Sequence, residues 1–274
     1  MNFYLLGYPL GHSVSPAMHN AAFKELGLRH KYSTLGFPSE QLPVTMDSKL
    51  RAESFGGANV TIPYKLEVIQ YLDELAQSAK TAGAVNTIEN RSGVLRGHNT
   101  DALGGIRALS EAYGDLSHAK VVLLGAGGAA SALGAELCSI VDELIILNRS
   151  VVKARALAMR LGGNTSCGSI EDQSLIESMD ILINATPVGM SPKTGESPVD
   201  PRYLHSGLLV FDIVYNPLRT KLLEDAEMAG ARTLGGLWML VYQGVEAFKI
   251  WTGIEPSADT MYSAALDALE AMKH

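Results

Sequence analysis

Three polar side chains, Asn59, Thr61 and Lys65, lie close together in the segment GANVTIPYK, residues 57–65. An amide, a hydroxyl and an ammonium group supply both donors and acceptors of hydrogen bonds, as one wall of a ligand cleft would require. The alternative to a role in ligand binding is that Lys65, shortly after an apolar run, is an ordinary solvated lysine. The segment therefore indicates a candidate site whose position depends on the strand that carries it.

Alternation along this run predicts a β-strand, because successive side chains of a strand point to opposite faces. Pro63 would end the strand, so that Lys65 projects from the following turn over the same site. We expect Asn59 and Thr61 on one face and Ala58, Val60 and Ile62 on the other, against the core.

A second candidate site is the glycine-rich turn GAGGAA, residues 125–130, which follows the apolar run KVVLL and precedes a helical pattern. Gly125 permits a tight turn, Gly127 lets a pyrophosphate approach the backbone, and Ala130 packs the helix on the strand. The helix N-terminus would then direct N–H groups at phosphate. Glycines that serve the turn alone are the alternative. The predicted cofactor contacts here are Gly125, Ala126, Gly127, Gly128 and Ala129.

The next apolar run ends in NRS, where an NAD-binding protein usually has an acidic residue for the ribose hydroxyls. Here the positions are Asn148, Arg149 and Ser150, with Lys153 one helical turn later. An arginine fork, a hydroxyl and a lysine would attract the 2′-phosphate of NADP. The alternative is that both cations are only solvated. Because cations at a helix N-terminus oppose the helix dipole, the pattern favours NADP.

Short apolar runs alternate with helical segments of 10–15 residues, which predicts an α/β protein with a parallel sheet covered on both faces. Ser15 before Pro16 predicts a helix capped by Ser15 and running to Gly27. YKLEVIQYL predicts a helix after the GANVTI strand. Asn90–Gly93 indicates a hairpin turn, and residues 237–274 predict two helices.

Composition narrows the class of protein. The 274 residues are 47% apolar and 19% charged, which is ordinary for a globular protein of about two domains. The net charge of −7 and the scattered cations argue against nucleic acid. We read neither a signal peptide nor a membrane span, and we expect Cys138 and Cys167 to be reduced, which favours the cytoplasm.

Nine segments together resemble the shikimate dehydrogenase family, over nearly the whole chain and in the family's order. The resemblance favours the biosynthetic, NADP-linked type. It implies an α/β substrate domain of residues 1–101 plus 237–274 and a Rossmann-like NADP-binding domain of residues 102–236, with the active site between them. The segments are GHSVSPAMHN, GANVTIPYK, GAVNT, GHNTDALG, GAGGAA, NRSVVK, NATPVGM, VYNPLRT and GLWMLVYQG.

The activity implied by the resemblance is the reversible reduction of 3-dehydroshikimate to shikimate with NADPH, on the route to chorismate and aromatic amino acids. Lys65 would act as acid or base with Asp101 as its partner, although the reverse assignment stays open. The expected partners are the small-molecule substrate and NADP, with no metal, nucleic acid or membrane. A monomer or a homodimer is expected.

The resemblance also implies the remaining contacts. Ser13 and Ser15 would hold the substrate carboxylate. The residues around the ring hydroxyls would be Asn59, Thr61, Lys65, Asn86 and Asp101, with Tyr215 and Gln243 as further substrate contacts. Thr186, Ile213 and Gly236 would lie by the cofactor.

Some features favour other interpretations. Asp101 and Ser15 could be helix caps, and His12 and His19 fit structural roles better than acid–base roles. Gln77 replaces an acid of many relatives, and Ser150 replaces a threonine while keeping the hydroxyl. The rival functions are an NAD-dependent, quinate-using dehydrogenase and a nucleotide sensor without catalysis.

Overall fold

The computed structural model describes residues 1–10 and 13–272. The chain divides into two compact units: residues 1–100 with 241–274 form the first unit, and residues 101–240 form the second. These boundaries lie one residue before and four residues after those expected. The second boundary falls inside a continuous helix, Leu237–Thr252, which belongs partly to each unit.

The strands of the described residues are β1 (Asn2–Gly7), β2 (Lys31–Gly36), β3 (Phe55–Val60), β4 (Glu74–Leu75), β5 (Thr87–Arg91), β6 (Val94–His98), β7 (Lys120–Leu124), β8 (Glu143–Asn148), β9 (Thr165–Ser169), β10 (Ile181–Asn184), β11 (Leu209–Asp212) and β12 (Arg232–Gly235). The α-helices are α1 (Ser15–Glu25), α2 (Leu42–Ser48), α3 (Gln77–Ala82), α4 (Asp101–Tyr113), α5 (Gly128–Leu137), α6 (Val151–Leu161), α7 (Lys221–Met228), α8 (Leu237–Thr252) and α9 (Ala258–Ala271).

The first unit contains a mixed six-stranded sheet in the order β2-β1-β3-β5-β6-β4. β1 pairs in parallel with β2 and β3, whereas β5 is antiparallel to both β3 and β6. The predicted hairpin is confirmed, and its turn places Ser92 and Gly93 at φ values of 54° and 93°. The predicted helix after β3 is wrong: only the short 3-10 helix Glu67–Tyr71 forms there.

An aromatic cluster joins the two ends of the chain in the first unit. The Phe3 ring lies 5.2 Å from Phe23 and 5.0 Å from Trp251 between centroids. Trp251 Nε1 donates a hydrogen bond of 2.9 Å to the carbonyl of Ile88. A side chain at Gly57 would overlap the indole, so glycine is what lets Trp251 approach the sheet. The C-terminal helices are therefore part of this unit's core.

The second unit contains a six-stranded sheet that is parallel throughout, in the order β12-β11-β10-β7-β8-β9. The order reverses between β7 and β10, and this switch point is where open α/β sheets bind ligands. The sheet is of the Rossmann type, as predicted. The edge strands β9 and β12 were not predicted, because their sequences, TSCGS and RTLG, lack a long apolar run.

Within residues 1–10 and 13–272, the structure has no helix that is both long and apolar enough to span a lipid bilayer.

Candidate active site

Asn59 is held by hydrogen bonds at the end of β3. All six residues of β3 are buried, and Asn59 is 5% exposed. Its Oδ1 accepts a hydrogen bond of 2.8 Å from the Tyr32 hydroxyl, and its Nδ2 donates to Thr87 Oγ1 at 3.2 Å. A buried amide that is satisfied on both sides has one fixed orientation. Asn59 is thus a preorganised polar group whose hydrogen bonds are satisfied, rather than an unsatisfied polar group in the core.

Asn86 extends the same network towards the end of the first unit. Its Oδ1 accepts from Thr87 Oγ1 at 2.9 Å and from the Thr100 backbone N–H at 2.8 Å. Its Nδ2 lies 3.0 Å from Thr100 Oγ1 and 3.4 Å from Gln243 Oε1. We call Asn59, Asn86, Thr87, Thr100 and Gln243 the amide cluster. It brings together three residues predicted to contact the substrate, and it ends at the residue before Asp101.

Lys65 is placed by its backbone next to this cluster. The carbonyl of Lys65 accepts a hydrogen bond of 2.8 Å from Val85 N–H, and the carbonyl of Asn86 accepts one of 2.8 Å from Val60 N–H. The two-residue segment before β5 is therefore tied to both the end of β3 and the turn of Lys65. Asp101 is the first residue of α4, in the second unit.

The prediction that Ile62 lies against the core is wrong, because β3 ends at Val60 and Ile62 is 76% exposed. Tyr64 is buried instead and donates a hydrogen bond to the carbonyl of Phe37. Thr61 is half-buried, and its N–H donates a hydrogen bond of 2.8 Å to the carbonyl of Leu6 on β1. The alternation of buried and exposed side chains thus ends close to the last backbone hydrogen bond between this segment and β1.

Ser13 and Ser15 lie side by side at the start of α1, with their hydroxyl oxygens 3.3 Å apart. The prediction that Ser15 caps this helix is wrong: Val14 is the N-cap residue, and α1 runs from Ser15 to Glu25 rather than to Gly27. The Ser15 hydroxyl instead lies close enough to the phenol of Tyr32 to oppose, in part, the rise that burial causes in the pKa of Tyr32. His12 lies outside the described residues.

His19 is fully buried on α1, and burial lowers the pKa of its imidazole to about 3, against a smaller opposing effect of Asn59. Neither ring nitrogen has a hydrogen-bond partner of normal geometry among the described residues. The ring packs against Tyr32, Trp251 and Phe248. A neutral ring in this setting acts by packing, which is the role that the sequence favours.

In the second unit, the glycine turn has the form that phosphate binding requires. Gly125 has a φ of 111°, and a side chain there would lie 3.0 Å from the carbonyl of Ala185. Side chains at Gly127 or Gly128 would meet no atom within 4 Å of the added carbon, so both glycines border open space. Gly127 is the N-cap of α5 and supplies no capping side chain. Ala126 and Ala129 are half-buried beside them.

The residues predicted to select NADP lie together between β8 and α6. Ser150 caps α6 by accepting a hydrogen bond from Lys153 N–H at 3.4 Å, so its own hydroxyl proton is not used by the cap. Asn148 Nδ2 donates to the Ser150 carbonyl at 3.1 Å. The side chains of Arg149 and Lys153 are exposed.

Four further predicted positions follow the carboxyl ends of β10, β11 and β12: Thr186, Ile213, Tyr215 and Gly236. A side chain at Gly236 would overlap the carbonyl of Ile213, so these two backbones are in direct contact. Thr186 lies beside Gly125, 3.2 Å from the position of a side-chain carbon there. Tyr215 follows in the same loop as Ile213, and burial raises the pKa of its phenol. Gln77 belongs to the other unit, where it is exposed and donates to Thr81 at 3.3 Å.

Six polar residues that are not among the predicted site residues take part in these hydrogen-bond networks. Tyr32 lies on β2, and Thr87 and Thr100 lie within the motifs GAVNT and GHNTDALG without being predicted site residues. A signal existed for two of them, because Thr87 and Thr100 are hydroxyls directly next to the predicted site residues Asn86 and Asp101 in GAVNT and GHNTDALG. Tyr32 lies in the polar strand KYSTLG, which gives no such signal. Asn184, Asp212 and Thr220 in the second unit were also missed.

Comparison with known proteins agrees with this architecture. A family model for the shikimate dehydrogenase substrate binding domain matches residues 5–88. A shikimate/quinate 5-dehydrogenase model matches residues 107–213, and a shikimate 5′-dehydrogenase C-terminal domain model matches residues 236–266. Together the three models span most of the chain.

Individual relatives match over almost their full length. The NADP(+) shikimate dehydrogenase of Methanothermobacter thermautotrophicus is 46% identical, covering 95% of this chain and 94% of the relative. A crystal structure of a shikimate dehydrogenase in complex with NADP+ has a TM-score of 0.92 at 41% identity, covering 98% of this chain and 95% of that one. The Thermus thermophilus enzyme, in complex with NADP(H) and shikimate, has a TM-score of 0.89 at 36% identity, covering 98% and 99%.

A Rossmann-type sheet with a glycine-rich turn, in a chain that also contains a separate α/β unit, is typical of nucleotide-dependent oxidoreductases. Given the matches above, the chain belongs to the shikimate dehydrogenase family.

Proposed function

We propose that the chain catalyses the reversible, NADPH-dependent reduction of 3-dehydroshikimate to shikimate, as a step towards chorismate and the aromatic amino acids. The names of its relatives support the reaction and the cofactor. The pathway and the roles of individual residues are part of the proposal.

The observation that carries the proposal is the amide cluster in the first unit. Asn59, Asn86 and Gln243 come from three distant parts of the chain and are held by buried hydrogen bonds. An amide group both donates and accepts, as recognition of a hydroxyl requires. A rigid set of such groups, in the unit that matches a substrate binding domain, suits a polyhydroxylated ring.

The adjacent hydroxyls of Ser13 and Ser15 are proposed to bind the substrate carboxylate. Two neutral donors hold an anion without the strong attraction of an arginine, and the net charge of −7 adds no attraction of its own. Tyr32, whose hydroxyl donates to Asn59, would lie beside Ser15 and link the two serines to the amide cluster.

The residues of the second unit fit NADP. Gly127 and Gly128 border open space at the start of α5, where backbone N–H groups would bind the pyrophosphate. Arg149, Lys153 and the remaining hydroxyl proton of Ser150 would bind the 2′-phosphate. Thr186, Ile213 and Gly236 would lie near the nicotinamide.

The reaction moves a hydride and a proton between the substrate and its partners. When bound, the nicotinamide of NADP accepts the hydride from the carbinol carbon or, as NADPH, returns it. Lys65 would bind the substrate oxygen through Nζ, taking its proton during oxidation and returning the proton during reduction. Asp101 would accept a hydrogen bond from Lys65 and orient it. Asn59 and Asn86 would hold the neighbouring ring hydroxyls.

The test is to follow the NADPH absorbance band with purified protein in four mixtures: shikimate or quinate, each with NADP or NAD. We expect rapid turnover with shikimate and NADP, and much lower kcat/KM in the other three. A preference for quinate or for NAD would contradict the substrate or cofactor assignment. Nucleotide binding without turnover in any mixture would instead support the sensor.

A further inference from the structure

Asp212 is a buried carboxylate to which the proposed reaction assigns no role. It is the last residue of β11 and has no solvent exposure. A buried carboxylate costs free energy unless donors compensate it, and an apolar side chain of similar size would often be no less stable. Stability alone therefore does not account for a carboxylate at the carboxyl end of a central parallel strand, where ligands bind.

Three donors among the described residues reach the Asp212 carboxylate. Oδ1 accepts from Val214 N–H at 3.0 Å and from Asn184 Nδ2 at 2.9 Å. Oδ2 accepts from Thr220 Oγ1 at 2.7 Å. Thr220 is itself the N-cap of α7, where it accepts from Leu223 N–H at 3.4 Å. One carboxylate thus fixes both ends of the loop that runs from β11 to α7.

Asn184 carries the same constraint into the neighbouring loop. It ends β10 directly opposite Asp212 in the strand register. Its Oδ1 accepts from the N–H and the hydroxyl of Thr186, at 3.0 and 2.6 Å, and its Nδ2 also reaches the Val188 carbonyl at 3.3 Å. Asp212, the Val188 carbonyl and the Thr186 N–H all require the same orientation of the Asn184 amide, and Asp212 provides its shorter Nδ2 contact, at 2.9 Å.

Asp212 and Asn184 therefore link the loop of Thr186 with the loop of Ile213 and Tyr215. A second contact between the loops supports this: Ser191 N–H donates to the Asn216 carbonyl at 3.2 Å. The linked loops contain one proposed substrate contact and two proposed cofactor contacts.

We propose that Asp212 is a positioning residue for hydride transfer, which acts through Val214, Asn184 and Thr220 to hold Tyr215, Thr186 and Ile213 in register. The inference rests on the proposed roles of these last three residues. Displacement of a reacting group by about 1 Å costs on the order of 100-fold in rate. Loss of the carboxylate should accordingly affect turnover more than affinity.

The variants are Asp212→Ala and Asp212→Asn, with Asp225→Asn as the matched control. Asp225 is also buried, lies on α7 and accepts a hydrogen bond of 2.6 Å from Lys221 on the same helix, and no side-chain hydrogen bond among the described residues joins it to either loop. We expect a loss of about 100-fold in kcat for Asp212→Ala. We expect a smaller loss for Asp212→Asn, whose remaining oxygen can still accept from Val214 and Asn184. Asp225→Asn should keep the wild-type kcat.

A second pair tests the same link from Thr220. Thr220→Val removes the donor with little change of shape, whereas Thr220→Ser keeps it. We expect kcat to fall in the valine variant and to be restored in the serine variant. If Asp212→Ala fails to fold, the Thr220 variants and Asp212→Asn still test the positioning role of Asp212.

Tyr215→Phe and Thr186→Ala separate this inference from the proposed function. If these two variants lower kcat or raise KM while folded Asp212 variants stay within twofold of wild type, the positioning role is overturned and the site assignment stands. If they change nothing, the proposed site is wrong, and the inference fails with it. Equal losses in Asp212→Asn and Asp225→Asn would also overturn the inference, because the effect would then be one of stability alone.

Discussion

The imidazole ring of His19 stacks on the phenol ring of Tyr32, with centroids 4.4 Å apart and planes inclined by 16°. The next residue of α1, Asn20, holds the backbone of the same tyrosine through hydrogen bonds of 2.8 and 2.9 Å. Because the Tyr32 hydroxyl donates to Asn59, two consecutive residues of α1 determine how an edge strand supports the amide cluster.

The buried imidazole makes stability depend on pH. The pKa of His19 is about 3 in the folded chain and about 6.5 when unfolded, so only the unfolded chain binds a proton between these values. Stability is therefore full above pH 6.5 and lost as pH falls, by about 2 kcal/mol at pH 5. His19→Phe should remove this slope in urea unfolding followed by tryptophan fluorescence. The exposed His118→Phe is the control, and parallel pH curves for wild type and His19→Phe would refute the prediction.

Lys65 is expected to carry the proton, so Lys65→Ala should lower kcat by about 100- to 10,000-fold. The KM for shikimate should change much less, because the amide cluster and the serines remain. Steady-state rates of NADPH formation measure both. Lys80→Ala, an exposed lysine on α3, is the matched control and should behave as wild type. An unchanged kcat in Lys65→Ala would exclude the proposed pair.

Arg149 is expected to select NADP through its 2′-phosphate. A charge-assisted hydrogen bond is worth about 1.5–3 kcal/mol, so Arg149→Ala should raise the KM for NADP by roughly 10- to 100-fold. The KM for NAD should stay the same, since NAD lacks that phosphate. Arg202→Ala, another exposed arginine, serves as the control. A parallel rise for both cofactors would mean that Arg149 acts on the fold or on another part of the nucleotide.

A substitution at Gly236 tests the contact between the backbone just before α8 and the backbone of Ile213. A methyl group there would overlap the Ile213 carbonyl and crowd Val214, so Gly236→Ala must shift the loop. We expect kcat/KM to fall by about 10-fold or more, with a lower melting temperature. Gly195→Ala is the control, because a side chain at position 195 meets no neighbour within 4 Å and requires no unusual φ. Wild-type kinetics in Gly236→Ala would show that the loop tolerates the shift.

Local patterns predicted the parts of the molecule that depend on neighbouring residues. The glycine turn could be predicted because strand, turn and helix follow each other directly, and Ser150 and Lys153 lie within the same stretch. Alternation correctly predicted a strand around Asn59, but not its end. The end of β3 depends on how far β1 continues beside it. The alternation of residues within one strand carries no information about the length of its neighbour.

Contacts between distant segments could not be predicted in the same way. Asp212 and Asn184 are 28 residues apart, and each ends an apolar strand with a single polar residue. Their meeting depends on parallel pairing in one particular register. Tyr32 was missed for a similar reason, since its hydroxyl finds Asn59 only across the sheet. The side chains of the candidate site lie in motifs that the sequence shows directly, whereas the side chains that hold them in place could not be predicted from it.

The C-terminal helices of the first unit have a consequence for biosynthesis. α9 packs on α1, and Gly244 of α8 brings the helices close enough for Met18 and Met261 to fill the space of a missing side chain. The ribosome makes residues 101–236 before it makes the two helices that pack on α1. The nucleotide-binding unit is thus available for folding as soon as it emerges, while the apolar face of α1 is covered only after α8 and α9 have been made. Incomplete chains would expose that face, and quality-control proteases would have a feature by which to recognise them.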